Sequence, residues 1–321
     1  MRAAVNTVYG PPEVIQVIEV PKPVPAGNEI LIRVHASTVN RTDYAFFSGK
    51  PFINRLFGGL FKPRNKTLGN EFAGEVEVVG SAVTSFKPGD RVFGYNDRKF
   101  GGHAEYVIMK EDSSVTGMPV NASFTEASCI TEGAHYALSG LKAAKVGQGQ
   151  KVLIYGATGA IGSAALQLSK YFGAEVTAVC DTKNVELIRS LGADRVIDYT
   201  REDFTKTGQE FDLVFDAVGK ISFGKSKAVL KERGIYMSSE LGKRSENIFL
   251  ALITPLRAGK KVLFPIPSIS KEIVNFLKEL VESGHYKPVI DRHYSLDQIV
   301  DAYKYVGTGQ KTGNVIITIS S

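Results

Sequence analysis

Lys151-Val-Leu-Ile-Tyr-Gly-Ala-Thr-Gly-Ala-Ile-Gly162 is the stretch whose reading decides the fold. An apolar run of strand length, 151–155, meets glycines at 156, 159 and 162, and a helical pattern over 161–172 follows at once. A diphosphate needs bare backbone of this kind. Side chains at the turn would block it, while amide N–H groups and the first turn of a helix present positive potential. The spacing is G-x-x-G-x-x-G rather than the commoner G-x-G-x-x-G, so the triplet alone says little. Its place between a strand and a helix gives it weight. The alternative is a tight strand-to-helix turn that holds no ligand.

Outward from this turn, strand-like runs at 175–180, 195–197, 212–215 and 234–238 alternate with helical runs at 185–191 and 226–231, and a helix over 271–283 closes the stretch. That alternation predicts an α/β fold, a doubly wound parallel sheet. Just upstream, 124–145 reads as one helix capped by Ser123 or Asn121, with Gly147 beyond its end. Residues 1–122 read differently. Short β-branched runs at 14–20, 30–36, 75–79, 91–93 and 104–109 are separated by Pro and Gly, as in Lys87-Pro-Gly-Asp90, which suits a small twisted β unit. The tail from 285 returns to β runs at 289–290 and 315–319 around a helical segment 295–306, whose start, Ser295-Leu-Asp-Gln298, matches a capping box. It is too short for a core of its own and is expected to rejoin the first unit. The expected domains are therefore 1–122, 123–284 and the return 285–321.

Length and composition agree. The chain has 321 residues, room for about two domains at about 150 residues each. Hydrophobic residues at 43% and charged residues at 22% exclude a mostly disordered chain. Lys and Arg exceed Asp and Glu by 39 to 33, a net +6 that suits an anionic ligand but is weak support for nucleic acid, and no nucleic-acid partner is expected. Two cysteines, Cys129 and Cys180, are too few for a disulfide scaffold or a cysteine-rich zinc module and fit a reducing compartment. No secretory pattern opens the chain and no run of about 18 apolar residues spans a membrane, so a cytoplasmic protein is expected.

The second strand ends in Val179-Cys-Asp-Thr-Lys-Asn184, about 20 residues past the glycines, where dinucleotide folds read the adenosine ribose. Asp181 favours a free 2′-hydroxyl and Lys183 a 2′-phosphate; a solvated turn accounts for both equally well.

The chain resembles the medium-chain dehydrogenase/reductase superfamily, and most of all its zinc-free, quinone-oxidoreductase-like branch. The markers run through the whole sequence: Tyr9-Gly-Pro-Pro-Glu13, Leu68-Gly-Asn-Glu-Phe-Ala-Gly74, Phe86-Lys-Pro-Gly-Asp-Arg-Val92, Gly101-Gly-His-Ala-Glu-Tyr106, Ala157-Thr-Gly-Ala-Ile-Gly162, Leu191-Gly-Ala-Asp194 and Phe215-Asp-Ala-Val-Gly219. The resemblance implies a GroES-like β domain built from both chain ends, a Rossmann domain between them and NAD(P)H as cofactor. It implies that Gly156, Thr158, Gly159, Ala160, Ile161 and Gly162 meet the diphosphate, Val218 and Gly219 the adenosine side, Ser238 and Ser239 the nicotinamide ribose, and Phe264 and Ile266 the carboxamide. Asp181, Lys183, Tyr199 and, from the tail, Lys311 are the candidates around the adenosine ribose. NADP(H) is the expected cofactor, with NAD(H) the alternative, and a homodimer the expected assembly.

The departures from the zinc-bearing members narrow the chemistry. Those members carry Cys where Asn40 stands and His where Asn70 stands, and the cysteine-rich lobe is missing between Tyr95 and Tyr106. An amide is a poor zinc ligand beside thiolate or imidazole, so no metal is expected. Without a Lewis acid, the accessible acceptors are electron-poor ones, quinones and α,β-unsaturated carbonyls, whose developing oxyanion hydrogen bonds can stabilise. Asn40 and Tyr44 are the candidate donors, with Asn70 lining the pocket. Tyr44 reads as well as a packed helix residue, and Asn40 as a turn residue. A cofactor-binding sensor or structural protein with little catalysis stays open, as does, more remotely, a metal-dependent alcohol dehydrogenase.

One segment stands apart. In 46–66, Phe52, Ile53, Leu56, Phe57, Leu60 and Phe61 lie at helical spacing among Arg55, Lys62, Arg64 and Lys66. A lid over a hydrophobic substrate pocket is the preferred reading. A protein contact, a peripheral membrane contact and plain packing of an insertion are the others.

Overall fold

In the computed structural model, which describes residues 1–319, the longest strand is Glu29–Val39. It pairs antiparallel with Glu71–Val79, with Tyr106–Lys110 and with the tail strand Asn314–Thr318. Its alternation sends Ile30, Ile32 and Val34 to one face, where they meet Phe72, Val76, Val92, Val107 and Val115. Each such side chain contributes about 1.5–3 kcal/mol on burial. A second cluster joins Val39, Phe47 and Leu68 to Leu296, Ile299, Tyr303, Val306 and Ile317 from the tail.

The chain divides into two units, one holding Met1–Glu132, Ile269–Gly284 and Pro288 onward, the other Gly133–Ser268 and His285–Lys287. These bounds differ from 122 and 284. Helix Phe124–Ala127 packs on strands of the first unit, and helix Lys271–Glu282 packs on its strand Val115–Gly117. The first unit is the GroES-like β domain.

The second unit carries six parallel strands in the order Arg195–Asp198, Glu175–Cys180, Lys151–Tyr155, Phe211–Asp216, Leu230–Ser238 and Lys261–Leu263. This is the doubly wound Rossmann order, with the strand order reversing beside Lys151–Tyr155. Tyr236, Val214, Leu153, Phe211 and Leu230 are buried together in its core.

Three local expectations are corrected. The single helix over 124–145 is two, Phe124–Ala127 and Thr131–Ala143. Ser123 and Glu126 close a capping box on the first, and its end leaves Thr131 to begin a second helix. The helix expected over 226–231 is a turn of helix, Phe223–Ser226, followed by the strand Leu230–Ser238, because parallel pairing of Leu230 with Phe211 draws the segment into the sheet. The helical face expected across 52–61 stops at Gly58: the helix is only Ile53–Gly58, and at Gly59 the backbone turns to φ +118, where a Cβ would lie 2.2 Å from the Lys62 carbonyl oxygen. Helix Glu246–Ile253 and strand Lys261–Leu263 carried no clear sequence pattern. Among the described residues no helix is long and apolar enough to cross a membrane.

Candidate active site

In the second unit, the Gly156 and Ala157 N–H groups both donate to the Val179 carbonyl, closing the turn between two strands. Gly156 sits at φ +77, and a Cβ on Gly162 would lie 2.1 Å from the Gly156 carbonyl oxygen, so helix Ala160–Tyr171 packs against bare backbone. Gly159 is different. A Cβ there meets nothing nearer than the Gly156 oxygen at 4.0 Å, so its outer side is open. Gly159 is also the N-cap of the helix and offers no side chain to its first N–H groups. An open, uncapped helix start over a glycine turn fits the diphosphate of a dinucleotide.

Register aligns the neighbouring candidates along one edge of the sheet. Asp216 pairs with Tyr155 on one side and Ser238 on the other, and Asp198 pairs with Cys180. The Asp216 carboxylate accepts from the N–H groups of Val218, Gly219, Lys220 and Ile221 at 2.8–3.3 Å, fixing the loop that presses Val218 onto Gly156. Ser238 is buried and its hydroxyl accepts from the Glu240 N–H, and the Ser239 N–H donates to the Asp216 carbonyl. At the adenosine end, Asp181 accepts from Asn184 Nδ2 and pairs with Lys183 Nζ at 3.8 Å. Tyr199 stacks toward Tyr155 with half its surface exposed, its hydroxyl pushed up by burial and by the Asp181 and Asp198 carboxylates. Thr158 lies in the turn, and Ala160 and Ile161 open the helix. Phe264 is half-buried and Ile266 almost wholly exposed.

The first unit brings a different set together. Strand Glu29–Val39 delivers Thr38 and then Asn40, the N-cap of helix Arg41–Ser48. Strand Glu71–Val79 starts with Glu71, and helix Thr131–Ala143 starts with Thr131 and Glu132. Glu71 Oε1 accepts from the Thr131 N–H at 2.7 Å, the Thr131 hydroxyl at 2.6 Å and the Glu132 N–H at 2.6 Å. Its Oε2 accepts from the Thr38 hydroxyl at 2.9 Å and Asn40 Nδ2 at 3.4 Å. Burial pushes this carboxyl up, while the donors from Thr131, Glu132 and Thr38 pull it back.

Asn40 is buried and fully occupied. Its Nδ2 also faces Asn314 Oδ1 at 3.0 Å and Thr38 Oγ1 at 3.2 Å, and its Oδ1 accepts from Lys311 Nζ at 2.8 Å. Lys311 donates a second bond to the Gly313 carbonyl. Burial lowers this amine to about 8, against the pull of Glu132. Asp43, buried beneath, takes the Asn40 N–H at 2.9 Å and the Asn70 N–H at 3.2 Å. Burial raises Asp43 to about 7, with the two N–H bonds opposing and the Glu71 charge adding to the rise. Glu132 is held well above the usual carboxylate range by burial and by Asp43 and Glu71.

Of the residues expected near the substrate, Asn40 and Asn70 meet through Asp43, and Asn70 keeps a buried side-chain oxygen without a partner among the described residues. Tyr44 packs its ring and hydroxyl on Gly307, where a Cβ would come within 2.8–3.0 Å of them. Lys311, expected at the cofactor phosphate, donates to Asn40 Oδ1. Thr38, Asp43, Thr131, Glu132 and Asn314 were not anticipated. The signal for Thr131 and Glu132 was a helix start hidden inside a run read as continuous.

Comparison with known proteins gives a consistent picture. Residues 26–120 match the alcohol dehydrogenase GroES-like domain and 191–317 the zinc-binding dehydrogenase family. The chain is 35% identical to the 2-methylene-furan-3-one reductase of Solanum lycopersicum over 99% of its own length and 79% of the relative's. It is 32% identical to a chloroplastic quinone-oxidoreductase of Triphysaria versicolor over 94% of its own length and 92% of the relative's. The solved quinone oxidoreductase from Coxiella burnetii superposes with a TM-score of 0.87 at 28% identity, covering 100% of this chain and 99% of that one.

Proposed function

The chain belongs to the quinone-oxidoreductase-like branch of the medium-chain dehydrogenase/reductase superfamily, and from that premise we propose that it reduces quinones or α,β-unsaturated carbonyls with NADPH and without a metal. The observation that carries this reading is the Lys311–Asn40 bond. Where zinc-bearing members place a thiolate, this chain has an amide whose oxygen already accepts from an ammonium group. A cation at that point meets a positive charge, and an amide is a poor ligand for it.

A reduced nicotinamide supplies hydride when bound. The protein's part is to meet the negative charge that reaches the acceptor oxygen. Asn40 has no N–H to spare, so the electrostatic role passes to Lys311, which uses two of its three N–H bonds on Asn40 and Gly313. A charged donor fixed in advance at low dielectric stabilises an oxyanion without reorganising. Asn40 and Asn70 then act through position, and Tyr44 through its packing on Gly307.

The glycine turn, Val218, Gly219, Ser238, Ser239, Phe264 and Ile266 are proposed to hold the dinucleotide, with Lys183 and Tyr199 favouring a 2′-phosphate. A homodimer is proposed through the edge strand Lys261–Leu263 and the exposed Phe249, Leu252 and Leu256 beside it, to be checked by sedimentation equilibrium. The function itself is tested by following NADPH oxidation across quinones, enones and simple ketones. Turnover of the first two classes supports it. Cofactor binding with no turnover, or preferred oxidation of secondary alcohols, contradicts it.

A further inference from the structure

We propose that residues 50–66 form a docking surface for anionic lipid bilayers. In this segment the apolar side chains face outward. Phe57 is 69% exposed and Phe61 89%, and Phe52, Leu56 and Leu60 are exposed beside them. The segment is nevertheless built rather than loose. Tyr9 donates its hydroxyl to the Gly59 carbonyl, the Arg64 N–H donates to the Gly58 carbonyl at 2.7 Å, and Arg55 Nε donates to the Gly49 carbonyl while its guanidinium lies over the Tyr9 ring. Pro63 and Leu68 take the inner positions. The exposed Phe57 and Phe61 rings are therefore carried on a fixed backbone, which the lid reading does not require and the docking reading does.

Charge identifies the occupant. No Asp or Glu occurs between Asp43 and Glu71, while Lys50, Arg55, Lys62, Arg64 and Lys66 all fall there. Lys50, Lys62, Arg64 and Lys66 are exposed. The Asn65 amide donates to the Arg98 carbonyl at 2.7 Å, bringing a further basic loop alongside, with Asp97 as its acid. Aromatic and leucine side chains that enter the headgroup boundary, ringed by cations that meet anionic lipid, are the two halves of interfacial binding. A bilayer satisfies both halves at once and needs no matching shape. The site for a lipophilic quinone would then sit on a protein held at the phase where such molecules dissolve; this last clause rests on the proposed function, while the docking itself does not.

The test uses the full chain and vesicles of phosphatidylcholine with and without phosphatidylglycerol, read by co-sedimentation. The expected result is binding to the phosphatidylglycerol vesicles at low salt, weak binding to the neutral ones, and release as salt rises. Lys62→Gln with Arg64→Gln should weaken binding roughly twenty-fivefold, at about fivefold for each cation near the surface. Phe57→Ser with Phe61→Ser should abolish it while leaving NADPH binding and the thermal midpoint unchanged, which separates loss of docking from loss of fold. No binding to either vesicle overturns the proposal, as does equal binding by the Phe57→Ser, Phe61→Ser variant. Self-association that these two changes dissolve, without vesicle binding, assigns the patch to a second copy and overturns it too.

Discussion

Lys311 Nζ donates to Asn40 Oδ1 at 2.8 Å, joining the tail of the chain to the end of its longest strand 271 residues earlier. The same amide faces Glu71 and Asn314 from its other end, so one buried side chain links an ammonium, a carboxylate and a second amide. Removing it leaves those groups to find other partners.

Asn40→Ala is therefore expected to destabilise the protein by about 1–3 kcal/mol, the cost of leaving buried polar groups unsatisfied. Urea unfolding followed by fluorescence measures it. A loss below about 0.5 kcal/mol, the range of ordinary surface substitutions, contradicts the network.

Asp43 gives a pH dependence of defined sign. Its folded value of about 7 lies above its ordinary 3.8, so between those values the unfolded chain has released a proton that the folded one keeps. The unfolded state binds fewer protons, and this contribution to stability is present at low pH and lost as pH rises through 7. Glu71 and Glu132, also raised, act in the same direction. Asp43→Asn should flatten the fall in stability between pH 4 and pH 7. An unchanged slope removes Asp43 from it.

Gly159→Ala separates the fold from the ligand. The added methyl meets nothing nearer than the Gly156 carbonyl oxygen at 4.0 Å, an ordinary contact, so the thermal midpoint should hold. It projects into the space proposed for the diphosphate, and NADPH affinity should fall roughly tenfold or more, a loss of about 1.4 kcal/mol or above. Isothermal calorimetry decides; full affinity in a folded variant rejects this placement.

Lys183→Ala should lower kcat/KM for NADPH roughly ten- to hundredfold, the loss of one charge-assisted bond of about 1.5–3 kcal/mol. NADH should be little affected. Equal losses with both cofactors contradict a 2′-phosphate contact.

Much of the fold was legible because its signals are local. Strands Lys151–Tyr155 and Glu175–Cys180 stand where their apolar runs are, and the Ser295–Gln298 box starts the tail helix as its residues specify. What failed depended on partners far along the chain. Leu230 is a strand residue because Phe211 pairs with it, and the 124–145 run breaks where Thr131 and Glu132 turn their N–H groups to Glu71. The site divides in the same way. The glycine turn is a motif readable within 12 residues, whereas the side-chain partners of Asn40 come from positions 38, 71, 311 and 314. No pattern in the sequence announces that Lys311 reaches Asn40 and Gly313, and the resemblance alone pointed it at the cofactor.

The most direct test of the account is the pH dependence of kcat for NADPH-driven reduction of a quinone, with chelator present, in the unmodified protein and in Lys311→Met. The account predicts turnover that survives the chelator and declines above about pH 8 as the Lys311 amine loses its proton. Lys311→Met should lose about a hundredfold or more in kcat, from about 2.7–4 kcal/mol of oxyanion stabilisation, and lose the decline above pH 8 while still binding NADPH. Activity that disappears with the chelator, or a Lys311→Met variant with unaltered kcat and the same alkaline decline, would contradict it.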